Sequence, residues 1–326
     1  MFIAPPKRKK FSHVSRNQQT ADLPPLDRLR TNRQVAPDMS TQEQWIAAAF
    51  GETGLHAWAM RGSDAYAQAF VDGPTATAEP PEGALLLLPD DWLAPGTTRV
   101  LACGLNAGPF QSVPVSLATL QPVGSPVPDA RRTVLTLPGL KQSTPPDIMQ
   151  GGETRIAGFL ATHDGWDGVI CLPGLQTCWA HISAGEVVSF QTFLTGELVS
   201  AVSPTPITSL SARMADWDAT TFADSLDATL SRPEKLAAAL AAARARDILE
   251  SPLPMQTQTQ LWGALIGAEL AAARPYWLGQ QVAIIGTSAT TTLYGAALQR
   301  QGVPTVDADP DEMALVGLTA AWQRLP

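Results

Sequence analysis

Cysteine is scarce in this chain. Cys103, Cys171 and Cys178 are the only three in 326 residues. They are too few and too scattered for a disulfide framework or a thiolate metal site, which suits a reducing compartment such as the cytoplasm. Long apolar runs are missing too: none approaches the ~18 to 20 residues needed to cross a bilayer. The first forty residues lack the roughly 7 to 15 residue apolar centre of a secretory signal. Neither a GxxxxGK(S/T) phosphate loop nor a GxGxxG fingerprint occurs, so neither nucleotide class that those motifs define is supported. What remains is a hydrophobic fraction of 45%, ordinary for a soluble globular protein. The length suits two domains better than one.

The net charge of −8 is unevenly spread. Residues 1–40 hold eight basic residues against Asp22, Asp27 and Asp38, which leaves −13 for the rest. An acidic body argues against broad nucleic-acid contact. The basic arm is proline-rich and aperiodic, so it reads as a disordered extension, residues 1–40, ahead of the folded part.

The stretch Gly168 to Leu198 organises the remainder. Val169–Leu172, Thr177–Ile182 and Val187–Phe193 are β-branched or aromatic runs separated by Pro173-Gly174 and Ala184-Gly185-Glu186. They predict a three-strand meander with tight turns. A glycine turn between strands can present backbone N–H groups to an anion. Purely structural hairpins share that geometry, so the residues alone leave both readings open. A second meander is expected at Trp45–Phe50, Leu55–Met60 and Ala65–Val71, with further short buried runs at Ala84–Leu88, Arg99–Cys103 and Val134–Leu137. Cys171 and Cys178 then read as small buried hydrophobes on strands.

Helices are expected over Glu153–Leu160, Asp216–Leu249 with a new first turn at Pro233, and Leu261–Ala273, whose Gly263 and Gly267 permit close packing. Asp147, after Pro145-Pro146, reads as a helix cap or as a catalytic carboxylate. Val282–Ile285, Gly286-Thr287-Ser288 and Thr291–Gln299 form a strand, turn and helix that can set donors against a ribose or phosphate. A strand at Val303–Val306 and a final helix to Leu325 complete the chain. The order predicts two α/β domains of similar plan, 41–165 and 166–326, with a cleft between them and the last helix returning to the first.

Several stretches carry a resemblance: Trp45–Trp58, Arg99–Gly108, Pro138–Leu160, Val169–Leu198, Leu261–Leu270 and Ile284–Gly317. With Cys171-Leu172-Pro173-Gly174 followed by Phe193-Leu194-Thr195-Gly196-Glu197-Leu198, the chain resembles the 2-dehydro-3-deoxygalactonokinase family. That resemblance implies two actin-like (ribonuclease H-like) domains, ATP and Mg2+ between them, and phosphorylation of the terminal hydroxyl of a small-molecule 2-keto-3-deoxy sugar acid. By the same resemblance, Asp147, Glu153 and Glu197 are the catalytic candidates. Gly51, Glu52, Thr53, Gly174, Thr177, Gly286, Thr287 and Ser288 would face nucleotide and phosphate. Asn106, Thr154, Thr195 and Gly196 would face the sugar acid, and Glu52 the metal. Assembly as a homo-oligomer stays open.

Departures from the family pattern cluster at its phosphate loops. Where the family strand ends Asp-Trp-Gly-Thr-Ser, this chain reads Ala49-Phe50-Gly51-Glu52-Thr53. The second loop, Pro-Gly-Thr-His-Ser-Lys-Trp in the family, is Pro173-Gly174-Leu175-Gln176-Thr177-Cys178-Trp179 here. The family's Met-Arg-Gly-Glu-Glu-Thr has become Met149-Gln150-Gly151-Gly152-Glu153-Thr154. Phosphoryl transfer depends on positioned cation, donors and base. These losses therefore predict weak or absent turnover, and set a catalytically degenerate binding or regulatory homologue beside the kinase. In the competing account, Glu52 serves as a displaced cation partner.

Overall fold

The computed structural model describes residues 29–33, 43–51, 54–73, 81–105, 110–127, 129–203, 217–250 and 254–325. Its first sheet is built from β1 (Leu29–Arg33), β2 (Gln44–Phe50), β3 (Gly54–Arg61), β4 (Asp64–Asp72), β5 (Thr98–Cys103), β8 and β9. Between β5 and β8 come two short strands, β6 (Gln111–Ser112) and β7 (Val115–Ser116), and β8 and β9 span Val123–Ser125 and Arg132–Thr136. The order across the sheet is β1-β4-β3-β2-β5-β9-β8. β2, β3 and β4 form the expected antiparallel meander, while β5 and β9 continue parallel to β2.

A three-stranded sheet of β11 (Pro146–Met149), β10 (Leu140–Ser143) and β6 follows, then helix α1 (Gly152–Thr162). The second large sheet contains β12 (Gly168–Leu172), β13 (Thr177–Ser183), β14 (Glu186–Phe193), β15 (Val282–Ile285) and β16 (Thr305–Ala308). Its order, β16-β15-β12-β13-β14-β7, again sets a meander beside two strands parallel to the meander's first strand. The two meanders thus lie in different sheets of the same plan. The remaining helices are α2 (Thr195–Val202), α3 (Ala219–Ser231), α4 (Leu236–Glu250), α5 (Pro254–Ala272), a single turn α6 (Arg274–Trp277), α7 (Ser288–Arg300) and α8 (Pro310–Trp322).

Two helices cross between the sheets. Ile156 and Phe159 of α1 pack with Ile170, Leu172, Ala180 and Phe190 of the second sheet. Ala314, Leu318, Ala321 and Trp322 of α8, at the far end of the chain, pack on Trp45, Trp58 and Leu101 of the first. The Trp45 and Trp322 rings stack at 4.3 Å and 4°. α1 and α8 touch backbone to backbone, because a Cβ on Gly317 would lie 2.1 Å from the Thr154 carbonyl oxygen. The opposite face of the second sheet is covered by α3, α5 and α7 around Trp179, Leu226, Trp262, Ile266, Leu293 and Tyr294. Gly263 and Gly267 bring α5 against the α3 backbone, as their spacing suggested.

Three local readings change. Leu29–Arg33, inside the segment expected to lack order, form an edge strand whose backbone pairs with β4. Such pairing needs only free backbone groups, so side-chain periodicity does not announce it. Residues 1–28 and 34–40 lie outside the described residues. The apolar run at Ala84–Leu88 is mostly 3₁₀ helix. Asp147 sits on strand β11 and caps no helix; α1 is entered through Gly151 in the left-handed region, at φ 80°. Thr195-Gly196-Glu197 forms the first turn of α2. The connector 204–211 lies outside the described residues.

Candidate active site

The start of α1 lies where the two sheets meet. A Cβ on Gly151 would stand 3.2 Å from Gly104 Cα, beyond the end of β5, and one on Gly152 would stand 3.7 Å from Leu172 Cδ2, at the end of β12. Gly104 itself, at φ 79°, has its Cα against the Phe50 carbonyl at the end of β2. A Cβ on Gly104 would lie 2.3 Å from the Phe50 carbonyl oxygen, so no side chain fits there, and that brings the ends of β2 and β5 together.

Glu153 occupies the junction and is only 1% exposed. Its Oε1 accepts from Gly151 N at 3.0 Å and from Thr154 Oγ1 at 3.2 Å. Among the described residues its Oε2 has no hydrogen-bond partner. Burial pushes this carboxyl up to about 7, against the opposing pull of the backbone amides, Thr154 and the Arg155 charge. An acid of that strength exchanges its proton near neutrality, where a general base is most effective. Thr154 is buried against α8 and the β5 end, and its hydroxyl is spent on Glu153.

Around the first hairpin, Ala49 is buried in the cluster of Trp45, Trp58, Leu101 and Cys103, and pairs across the ladder with His56. His56 stacks on Trp58 at 4.2 Å, and its Nδ1 lies 3.0 Å from Asp311 Oδ2 in the first turn of α8. Burial first, then the Glu153 charge, push the Cys103 thiol up to about 12, so it is no nucleophile. Gly51 closes the turn by donating to Gly54 O at 2.9 Å. Glu52, Thr53 and Asn106 lie outside the described residues.

The second hairpin gathers most of the other candidates. Gly174 packs against Gly196, where a Cβ would lie 2.3 Å from the Gly174 carbonyl oxygen. Glu197 N donates to Leu175 O at 2.9 Å, and Gln176 Nε2 donates to Glu197 Oε1 at 2.7 Å. A Cβ on Gly286 would lie 2.8 Å from Pro173 Cγ, so the turn after β15 borders this hairpin. There the exposed Thr287 caps α7 through its hydroxyl, accepting from Thr290 N, and the exposed Ser288 begins the helix.

Beneath the hairpin lies a carboxylate that sequence reasoning passed over. Glu269, on α5, accepts from Trp179 Nε1 at 2.7 Å, from Tyr294 OH at 2.8 Å and from Thr195 Oγ1. Tyr294 OH lies 2.7 Å from Thr177 Oγ1. Thr177 and Thr195 are therefore buried members of a network joining β13, α2, α5 and α7. Burial pushes Glu269 up to about 7, opposed by its three donors. Its only sequence signal was a lone acid in the apolar run Leu261–Ala273. Asp147 stands apart, at the β11 edge, where Oδ2 accepts from Thr192 N at 2.7 Å and Oδ1 from Ile148 N at 2.8 Å. The charges of Asp147, Glu153 and Glu269 all act on Cys178, whose thiol is raised first by its burial.

Two mixed sheets of one plan, with glycine hairpins at the ends of their leading strands and a helix start holding a buried carboxylate between them, define an α/β protein of the sugar-kinase fold. A solved structure assigned provisionally to 2-dehydro-3-deoxygalactonokinase of Sinorhizobium meliloti superposes with a TM-score of 0.71 at 28% identity, covering 86% of this chain and 98% of that one. A profile of the 2-keto-3-deoxy-galactonokinase family matches residues 49–321, and the chain belongs to that family. Among relatives, a probable 2-dehydro-3-deoxygalactonokinase of Rhizobium meliloti (strain 1021) is 30% identical over 246 residues, 71% of this chain and 80% of the relative. The 2-dehydro-3-deoxygalactonokinase of Escherichia coli (strain K12) is 26% identical over 270 residues, 79% and 90%.

The donors around the two hairpins fit a nucleotide: the exposed Thr287 and Ser288 hydroxyls beside Pro173 on one side, and the Arg155 guanidinium beside Gly51 on the other. Among the described residues, no group of three or more His, Cys, Asp or Glu side chains could hold a metal ion; Glu52, the residue expected to face the cation, lies outside them. Among the described residues, no helix is long and apolar enough to cross a membrane.

Proposed function

We propose that this protein is an ATP-dependent kinase of a 2-keto-3-deoxy sugar acid, most like 2-dehydro-3-deoxygalactonate, built from two actin-like domains, 41–165 and 166–326. The observation that carries the reading is Glu153: a buried carboxyl at the junction of the sheets, with one oxygen unpartnered and a proton affinity near neutrality. ATP, when bound, supplies the phosphoryl group. Glu153 Oε2 then accepts the proton of the attacking sugar hydroxyl, while Gly151 N and Thr154 hold Oε1 in place. Entry of the hydroxyl requires the sheet ends to part at the α1 start, because Glu153 is otherwise closed to water.

On this reading the turn Gly286-Thr287-Ser288 borders the adenosine side. Glu197, held by Gln176, sets the position of the second hairpin relative to α2. Turnover is low, because Ala49 offers no carboxylate to organise a magnesium ion. The test is Glu153→Gln, which keeps the acceptor for Gly151 N but removes the base. Sugar-acid-dependent ADP release should fall by roughly 10²- to 10⁴-fold, the usual worth of a general base. In the native protein kcat should rise with pH through about 7 as Glu153 loses its proton. A folded Glu153→Gln variant with native kcat would refute the assignment.

A buried Ala49 in an apolar cluster also favours a second reading, a homologue that binds nucleotide or sugar acid without transferring phosphate. Native protein that binds both ligands yet releases no ADP would establish it.

A further inference from the structure

Glu269 takes no part in the proton transfer assigned to Glu153, yet three elements of the second sheet's outer layer converge on it. Trp179 of β13 donates to its Oε1 at 2.7 Å, while Tyr294 of α7, at 2.8 Å, and Thr195 of α2 donate to Oε2. All four side chains are buried. The one phenolic proton of Tyr294 goes to the carboxylate, so Thr177 Oγ1 supplies the proton of its 2.7 Å contact with Tyr294 OH. Thr177 is the first residue of β13, directly after the tip of the second hairpin, and Thr195 is the first residue of α2. Helix α2 runs antiparallel along α5 and is bonded to it at both ends. Thr195 meets Glu269 at its start, and Ser203 Oγ accepts from Gln258 Nε2 at 3.4 Å at its C-terminal cap, with Val199 buried between them. The first turn of α2 lies directly on the hairpin tip, where a Cβ on Gly196 would stand 2.8 Å from Leu175 Cα.

Apolar packing alone would let α2 slide over β13, whereas hydrogen bonds to one carboxylate hold only within a narrow range of distance and angle. A carboxylate in a core is costly to bury, so stability alone does not account for it. We infer that Glu269 is the positioning residue of the nucleotide side, fixing the second hairpin, the first turn of α2 and α7 in one arrangement. This rests on the kinase reading above and deepens it. Glu269 acts through Thr177, Thr195 and Tyr294 and touches no ligand itself. Tyr294 stands on the second turn of the helix that Gly286-Thr287-Ser288 opens, so the same carboxylate ties that turn to the hairpin. Thr177 and Thr195 belong to this frame, because their hydroxyl protons are committed inward.

The test has two arms, run at pH 8 on the full chain and on its Glu269→Gln, Thr195→Val and Thr195→Ser variants. Circular dichroism melts check folding, and Thr195→Val leaves Glu269 in place should the glutamine variant unfold. Without ligand, hydrogen exchange read by mass spectrometry should be about 10-fold faster over 174–178 and 195–199 in Glu269→Gln and Thr195→Val, and unchanged in the first sheet. By calorimetry, both variants should bind magnesium-ATP about 10-fold more weakly, the effect of losing a buried hydrogen bond, and 2-dehydro-3-deoxygalactonate with native affinity. Thr195→Ser keeps the hydroxyl and should match native in both arms. Packing alone predicts the reverse order, since valine keeps the threonine methyl and serine loses it. The double variant Glu269→Gln/Thr195→Val should bind magnesium-ATP no more weakly than Glu269→Gln, because the two changes break one bond. Native exchange at the hairpin, or native magnesium-ATP affinity in both folded variants, overturns the inference and leaves the kinase reading intact. An equal loss of sugar-acid affinity overturns it in favour of a general loosening of the fold. Native protein that binds no magnesium-ATP overturns both.

Discussion

Replacing Glu269 by glutamine tests how the second hairpin is held. In the folded protein the carboxyl is pushed up to about 7, from an ordinary 4.5. A raised folded pKa means the folded state keeps its proton where the unfolded chain has lost it. The stabilising contribution is therefore complete below about pH 4.5 and is lost as pH rises through about 7. At 1.36 kcal/mol per pH unit, the swing across that window is about 3 kcal/mol. Glutamine cannot ionise and keeps one acceptor for Trp179. The variant should be no more stable than native at pH 5, because Thr195 and Tyr294 lose their best acceptor, and should gain on native by about 3 kcal/mol by pH 8. Glu153 is present in both proteins, so its own slope cancels. Urea unfolding at pH 5, 6.5 and 8 measures the gap directly. A gap that stays constant to within about 0.5 kcal/mol would refute the claim that Glu269 is buried and proton-loving.

Other substitutions probe the remaining contacts. Gly317→Ala sets a methyl 2.1 Å from the Thr154 backbone and should cost several kcal/mol, seen as a large drop in melting temperature; a change of only a degree or two would place α1 and α8 further apart than described. Gly196→Ala sets a methyl 2.3 Å from the Gly174 carbonyl oxygen and should likewise cost several kcal/mol, read as a drop in melting temperature. Ala49→Asp should lower stability, because it puts a carboxylate among Trp45, Trp58 and Cys103, yet raise magnesium-dependent turnover. If activity instead collapses in Glu52→Thr while Ala49→Asp adds nothing, Glu52 is the cation partner.

Both meanders were legible because glycines punctuate them. Gly51, Gly62 and Gly73 end the first set of strands, Gly174 and Gly185 the second, and the turns fall where backbone freedom is required. The apolar helices were legible from their composition and small residues. Pro145-Pro146-Asp147 misled, since prolines before an acid suit a helix start as well as a hairpin; the pairing of Gln142 with Asp147 decides for the strand. The site was readable only in part. Gly174, Gly196 and Gly286 come together at the second hairpin, but Glu269 gains its meaning from a partner 90 residues away in sequence, Trp179. Local pattern contains no such information.

The central claim is that sugar acid and nucleotide react at the junction holding Glu153. Magnesium-dependent ADP release by the native protein, with and without 2-dehydro-3-deoxygalactonate, measures it. The predicted result is release that requires the sugar acid and runs below the ~1 to 100 per second usual for kinases, because position 49 lacks its carboxylate. Release that is absent, or indifferent to the sugar acid from pH 6 to about 9, well above the Glu153 transition, would contradict it.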